Sequence, residues 1–302
     1  MTLALTRPDT SVEAAPPVVT PVATAHGRGA RRRRTLRLLL RRPGFLIALA
    51  FAVFVLVSAI APALFTSYDP YATAPIDKLQ APSAAHLFGT DELGRDLFAR
   101  VLHGGALTIQ ATVIALAIAL VGGLTLGVVS GYSGGVVDAV IMRIVDVLLA
   151  VPGLLLALAI VTAIGFGTLP VALAVGIGIL PGFARTTRAE VLRVKTLPYV
   201  EAARTGGATR LRVLVRHVLP NSWGPVAVLA VLDLGTAIIA VAALSFLGFG
   251  AAPPAAEWGT LISTGRNYLV TSPWLSLLPG LFVGLLVFSL NHVAKTIEEV
   301  QR

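Results

Sequence analysis

Charge is absent from long tracts of this chain and gathers between them. Gly44–Leu64 is an uncharged, mostly apolar tract, close to the ~20 residues a helix needs to cross a bilayer. Gly104–Ser130 makes a second crossing. Val147–Ala184 is again uncharged but too long for one helix. The turn residues of GFGTLP at Gly165–Pro170 divide it in two. The third crossing starts earlier, near Ala139, and carries Arg143 and Asp146 in its first turns. Those two lie three residues apart on one face and are expected to pair with each other. Ser222–Gly248 and Trp274–Ala294 supply the fifth and sixth crossings. The pattern predicts an all-α membrane protein with six transmembrane helices.

The segments between the crossings set the rest of the layout. Residues 1–43 are rich in Pro, Ala, Thr and Arg, without apolar periodicity, and are expected to form a disordered basic tail. Its length, and that of the apolar tract after it, read as an uncleaved anchor rather than a signal peptide. Residues 44–302 then make one six-helix domain, with a long outer loop at 65–103 and a basic loop at 185–221. In the outer loop, GTDELGRDLFARVL puts Thr90 where it can cap a helix, with Asp91 and Glu92 in the first turn. Leu93, Leu97, Phe98, Val101 and Leu102 share a face, the spacing of a helix lying on the membrane surface.

Orientation follows from where Lys and Arg fall. Twenty of the twenty-four lie on the side of the N-terminus, and only Lys78, Arg95, Arg100 and Arg266 fall on the other. Both termini and the 185–221 loop are therefore expected in the cytoplasm.

Composition narrows the function classes. Of 302 residues, 56% are hydrophobic and 13% charged, against about 25% charged in soluble domains. There is no cysteine, so disulfides, thiolate metal sites and thiol nucleophiles are excluded. The net charge of +9 sits in runs beside apolar tracts, where loop topology explains it without nucleic acid. No GxxxxGK[ST] loop and no HExxH motif occurs, which leaves neither a P-loop nucleotide site nor a zinc-protease site.

Two features, one inside a crossing and one at a turn between crossings, carry possible chemistry. Asp233 lies well inside the fifth crossing, where hydrocarbon penalises a carboxylate enough to make it a pathway or proton-site candidate. The alternative is a packing role, with the acid neutral or bonded to a hydroxyl such as that of Thr236. The sequence GYSGG at Gly131–Gly135 matches GxSxG, and its GxSG resembles the serine motif of rhomboid intramembrane proteases, with His292 as a possible base. Against this, a nucleophile elbow follows a strand, whereas a membrane span precedes Ser133. A glycine-rich turn between spans accounts for the same residues.

The basic loop contains YVEAARTGGATRLRVLVRHVLPN at Tyr199–Asn221. Glu201 to Arg204 favours helix, Gly206-Gly207 bends it, and Leu211–Leu219 resumes helix until Pro220. A short helix, a glycine bend and a second helix are expected, roughly parallel to the membrane. Ala202 and Ala203 allow close approach by another protein, and Glu201 offers that partner a charge.

EAA, three residues, Gly, then a stretch ending in LP resembles the loop of permease subunits of ATP-binding-cassette importers. It matches at Glu201, Ala202, Ala203, Gly207, Leu219 and Pro220, with His217 as in the dipeptide, oligopeptide and nickel branch. FGTDELGRDLFARVLHG, GYSGGVVDAVIMRIVDVLLAVPGLLLA, LSFLGFG and EWGTLISTGRNYL extend the likeness over about residues 43 to 290. The nearest class is the C-type permease of peptide importers, in a bacterial inner membrane. The resemblance implies a type I importer fold and a non-catalytic subunit whose EAA segment is a coupling helix, with Glu201 against a basic group of the ATPase. It also implies partners: a homologous second permease, two cytoplasmic ATPase subunits or one fused ATPase, and an extracytoplasmic binding protein. ATP and Mg would be bound by the ATPases, with no cofactor in this chain. Two departures bear on the cargo. Val241 stands where the family commonly has Glu, and the ending KTIEEVQR replaces a GDGLRDALDPR-like one.

Overall fold

The structure, a computed structural model, describes residues 42–301. The expected disordered tail at 1–43 falls, apart from Arg42 and Pro43, outside the described residues.

Helix α1 (Pro43–Ile60) opens with Pro43, whose missing N–H costs nothing in a first turn, and stops ahead of Pro62. Helix α2 (Leu97–Ser133) has 37 residues. At 1.5 Å per residue it is about 55 Å long, well beyond the ~30 Å hydrocarbon layer. Two shorter helices follow, α3 (Gly135–Ala150) and α4 (Gly153–Ile164). Helix α5 (Thr168–Lys195) returns, α6 (Pro198–Thr205) and α7 (Arg210–Val213) form the turn, and α8 (Leu219–Phe246) crosses back. Helices α9 (Trp258–Gly265) and α10 (Trp274–Gln301) complete the domain. Among the described residues, five helical runs are long and apolar enough to cross a membrane, and α3 with α4 makes a sixth, broken crossing.

The tightest packing is between α2 and α5, and small residues permit it. Ala111, Ala115, Ala119, Gly123, Gly127 and Gly131 recur every four residues of α2, all buried. A Cβ on Gly123 would stand 2.3 Å from that of Phe183, and one on Gly127 would stand 2.5 Å from that of Thr187. Helices in lipid gain little from apolar burial, so close backbone approach of this kind is what holds them together. Large apolar side chains such as Ile47, Val121, Leu155 and Phe288 point outward instead, as a lipid-facing surface requires.

Several expectations are corrected. The outer-loop helix does not start at Thr90. The chain turns at Asp91, whose Oδ1 accepts from Leu93 N (2.8 Å) and Arg95 N (3.0 Å). Asp96 is the cap, accepting from Ala99 N at 2.7 Å, and a carboxylate is a strong partner for the free N–H groups of a helix N-terminus. The helix then runs without interruption into the second crossing rather than lying on the surface. Thr90 instead receives Gln80 N at 2.9 Å and donates to the Asp77 carbonyl.

The third crossing is not one helix but bends by 96° between α3 and α4. Pro152 has no N–H to offer, and Val151 before it takes an extended conformation (φ −94°, ψ 130°). Arg143 and Asp146 do not pair. Asp146 binds Arg185 of α5 at 2.5 Å, because the exposed face of α3 that carries it turns toward that helix. Helix also continues through Arg185 to Lys195, so the connecting loop is shorter than 185–221. After it, Arg210–Phe246 is one continuous run rather than a surface helix ahead of a separate crossing. A π-helical stretch at Leu214–Val218 absorbs the ladder disruption that Pro220 imposes.

Candidate coupling site

Helix α6 is attached on one side and bare on the other. Val200 is fully buried in a cluster with Val191, Val194, Val213 and Val218, against which Ala203 packs. Glu201 and Ala202 are exposed. The spacing explains this: residues 200 and 203 share a face at i, i+3, so 201 and 202 turn away from it.

The end of α6 is a complete Schellman turn. Ala208 N donates to Ala203 O (3.1 Å), and Gly207 N donates to Arg204 O (3.0 Å). Gly207 sits between them at φ +83°, the left-handed conformation that favours glycine. A Cβ there would meet nothing, so conformation and not space selects the glycine. Thr209 then caps α7, accepting from Arg212 N at 3.4 Å.

The α6–α7 turn is tied to the two closely packed spans. Tyr132, near the end of α2, donates its hydroxyl to Arg210 O at 2.6 Å. Lys195, at the end of α5, donates to Tyr132 O at 3.0 Å. Tyr199 and His217 face each other with ring centroids 6.3 Å apart. The α6–α7 turn and the π-helical stretch after it are thus in contact with the ends of α2 and α5. Of the residues matched to the EAA pattern, Glu201, Ala202, Ala203 and Gly207 come together here. Leu219 and Pro220 stand apart, at the start of α8, where they line a 570 Å³ cavity with Trp223, Val128 and Thr187.

Asp233 lies in α8, half-buried. Neither Thr236 nor any other described residue bonds to its carboxylate. Val241 is fully buried among Ala237, Leu244, Val161 and Val175, so the two positions face different surroundings. Ser133 is exposed at the end of α2, while His292 stacks on Phe288 of its own helix and lies beside Gly44. No hydrogen bond joins Ser133 to His292 among the described residues.

Sequence reasoning passed over the buried Glu257 and placed the buried Asp91 in a helix turn. Glu257 has no exposed surface, and it accepts from Ser245 Oγ (2.6 Å) and Ala251 N (2.9 Å). It thereby fixes the turn between α8 and α9. Its signal was available, since it is the one charge in residues 234–265. At the same end of the molecule, Asp91 binds Arg95 Nε at 2.6 Å, and Arg100 reaches Pro70 O at 2.9 Å. The GTDELGRD stretch is thus a buried network that orders the long loop.

Comparison with known proteins agrees with this geometry. Residues 123–300 match the family described as binding-protein-dependent transport system inner membrane component. The chain is 40% identical over 240 residues to a dipeptide transport system permease protein of Alkalihalophilus pseudofirmus, covering 80% of this chain and 79% of the relative. It is 42% identical over 244 residues to a probable D,D-dipeptide transport system permease protein of Escherichia coli, covering 81% and 82%. Its fold is similar to the MetNI methionine ABC transporter in an inward-facing conformation, with a TM-score of 0.54 at 19% identity over 67% of this chain and 97% of that one. Such proteins are transport components and not enzymes, so the protease reading of Ser133 and His292 is set aside. The chain belongs to the binding-protein-dependent transport system inner membrane component family and is a permease subunit with the type I ABC importer fold.

Proposed function

We propose that this permease carries di- or oligopeptides inward, forming one half of a pathway completed by a homologous permease. The α6 end, with both termini, faces the cytoplasm, where Glu201 and Ala202 seat in an ATPase subunit or one half of a fused ATPase. ATP and Mg are held there, and a binding protein delivers the peptide from the other side. The observation that carries the reading is the two-sided character of α6: Val200 and Ala203 anchored, Glu201 and Ala202 free. A structural loop has no use for a bare Glu-Ala pair on a rigidly capped turn. Closure of the ATPases would move α6, and the shared contacts would bias α2, α5 and α8 between two states. The dipeptide relatives, near 40% identity over most of both chains, supply the cargo class.

The test is reconstitution of the two permeases, the ATPases and the binding protein in proteoliposomes. Uptake of labelled di- and tetrapeptides that needs both ATP and the binding protein is expected. Uptake sustained by a proton gradient without ATP would favour instead a secondary transporter working through Asp233.

A further inference from the structure

A cavity of 720 Å³ opens beside the coupling turn, lined by Tyr132, Ser133, Lys195, Arg204, Ala208 and Arg210. The lining contains three cationic residues and no acidic one. Elsewhere on α5 the arginines are neutralised, Arg188 by Asp138 at 2.6 Å and Arg193 by Glu190 at 2.7 Å. Arg204 and Arg210 have no carboxylate partner among the described residues. Lys195 directs its ammonium to the carbonyls of Gly131 (3.3 Å) and Tyr132 (3.0 Å). That contact cancels the negative end of α2, which would otherwise repel an anion. The Tyr132 hydroxyl, bonded to Arg210 O at 2.6 Å, fixes the backbone that bears one of the two guanidiniums.

Arg204 and Arg210, both exposed beside the cavity, each carry a guanidinium whose paired N–H donors match the oxygens of a phosphate group. The cavity also lies where two membrane-crossing helices, α2 and α5, end together, with Tyr132 on one and Lys195 on the other, residue types suited to a membrane–water interface. A phosphate held there would contact α6 and α7 as well as the spans, joining the coupling turn to the membrane surface.

We infer that this cavity binds a phosphate group, carried by an anionic lipid headgroup or by free phosphate. The inference holds or fails independently of the peptide cargo, because binding is measured on the chain alone. Full-length protein in detergent would be titrated with short-chain phosphatidylglycerol, with inorganic phosphate and with a short-chain diacylglycerol that lacks phosphate, and bound molecules counted by native mass spectrometry. One phosphatidylglycerol per chain is expected, with affinity at least tenfold lower in the Arg204→Gln/Arg210→Gln variant, about one charge-assisted contact. Diacylglycerol should bind both proteins equally and weakly. Displacement by millimolar phosphate identifies free phosphate as the ligand, and failure to displace identifies the headgroup. Equal phosphatidylglycerol affinity in wild type and in a variant with unchanged circular dichroism overturns the inference. So does loss of the site when the ATPases are bound, which would make the cavity a seat for their side chains.

Discussion

Arg188 grips Asp138 with two parallel hydrogen bonds of 2.6 Å, and this fork is the main tie between α3 and α5. Ser130 donates to the same carboxylate. Outside this tie α3 is sparsely packed, with Val145 its single buried residue. The second tie, Arg185 to Asp146, is more than half exposed on both partners, at 59% and 55%. Asp138→Asn should therefore destabilise the chain by about 1–3 kcal/mol, as expected for a partly buried charge-assisted pair. Asp146→Asn should change stability by less than ~1 kcal/mol, as exposed ion pairs do. Thermal unfolding of the two variants in one detergent checks the order. Equal effects would show that α3 is held by its apolar contacts and not by the fork.

Glu201 is exposed and its carboxylate bonds to nothing among the described residues, so Glu201→Ala should leave folding and membrane abundance unchanged. Uptake should fall while ATP hydrolysis persists if, as proposed, Glu201 contacts the ATPase. Gly207→Pro acts differently. Proline is fixed near φ −65°, whereas Gly207 needs +83°, and the Schellman turn would open. Normal uptake by both variants at matched abundance would remove α6 from the coupling role.

Glu257 offers a stability test at the opposite end of the molecule. Glu257→Ala would leave Ser245 Oγ and Ala251 N buried without their acceptor, at a cost of ~1–3 kcal/mol for each group. Glu257→Gln retains one oxygen and should cost less. An unfolding midpoint for Glu257→Ala matching wild type would contradict the assigned hydrogen bonds.

The crossings were legible because lipid demands long uncharged tracts, and the glycine bend after α6 because Gly207 has a local conformational reason. What escaped were features set by tertiary partners. Asp146 chose Arg185 over Arg143, a residue on its own helix, because α5 passes the exposed face of α3. Thr90 was a plausible cap until Asp96 took that place, and the difference depends on how the loop closes around Asp91. The break at Val151–Pro152 was written in the chain, since proline restrains the residue before it, but an apolar tract that continues on both sides hid it.

Ser133→Ala should preserve transport. The hydroxyl is exposed at a helix end, and no described residue bonds to it. Uptake that survives while cleavage of a membrane substrate disappears would revive the protease reading.

Asp233 is the remaining acid to assign. It is half-buried in a membrane-crossing helix and lacks a partner among the described residues, which is an expensive position for a carboxylate in lipid. It also does not occupy the setting of Val241. Eight residues at about 100° each put the two some 80° apart around α8, and Val241 is sealed in the core. If Asp233 faces the pathway between the two permeases, it meets cationic groups of the cargo, such as a peptide amine. A desolvated charge contact is worth on the order of 2–5 kcal/mol, so Asp233→Asn should reduce uptake of cationic peptides more than that of neutral ones, even with part of that energy lost to solvation. The amide keeps the shape and hydrogen-bonding capacity of the side chain, which isolates charge as the variable. Competition between a lysyl dipeptide and an alanyl dipeptide in the same proteoliposomes reads the selectivity directly. An unchanged ratio between wild type and Asp233→Asn would make Asp233 a structural residue of α8.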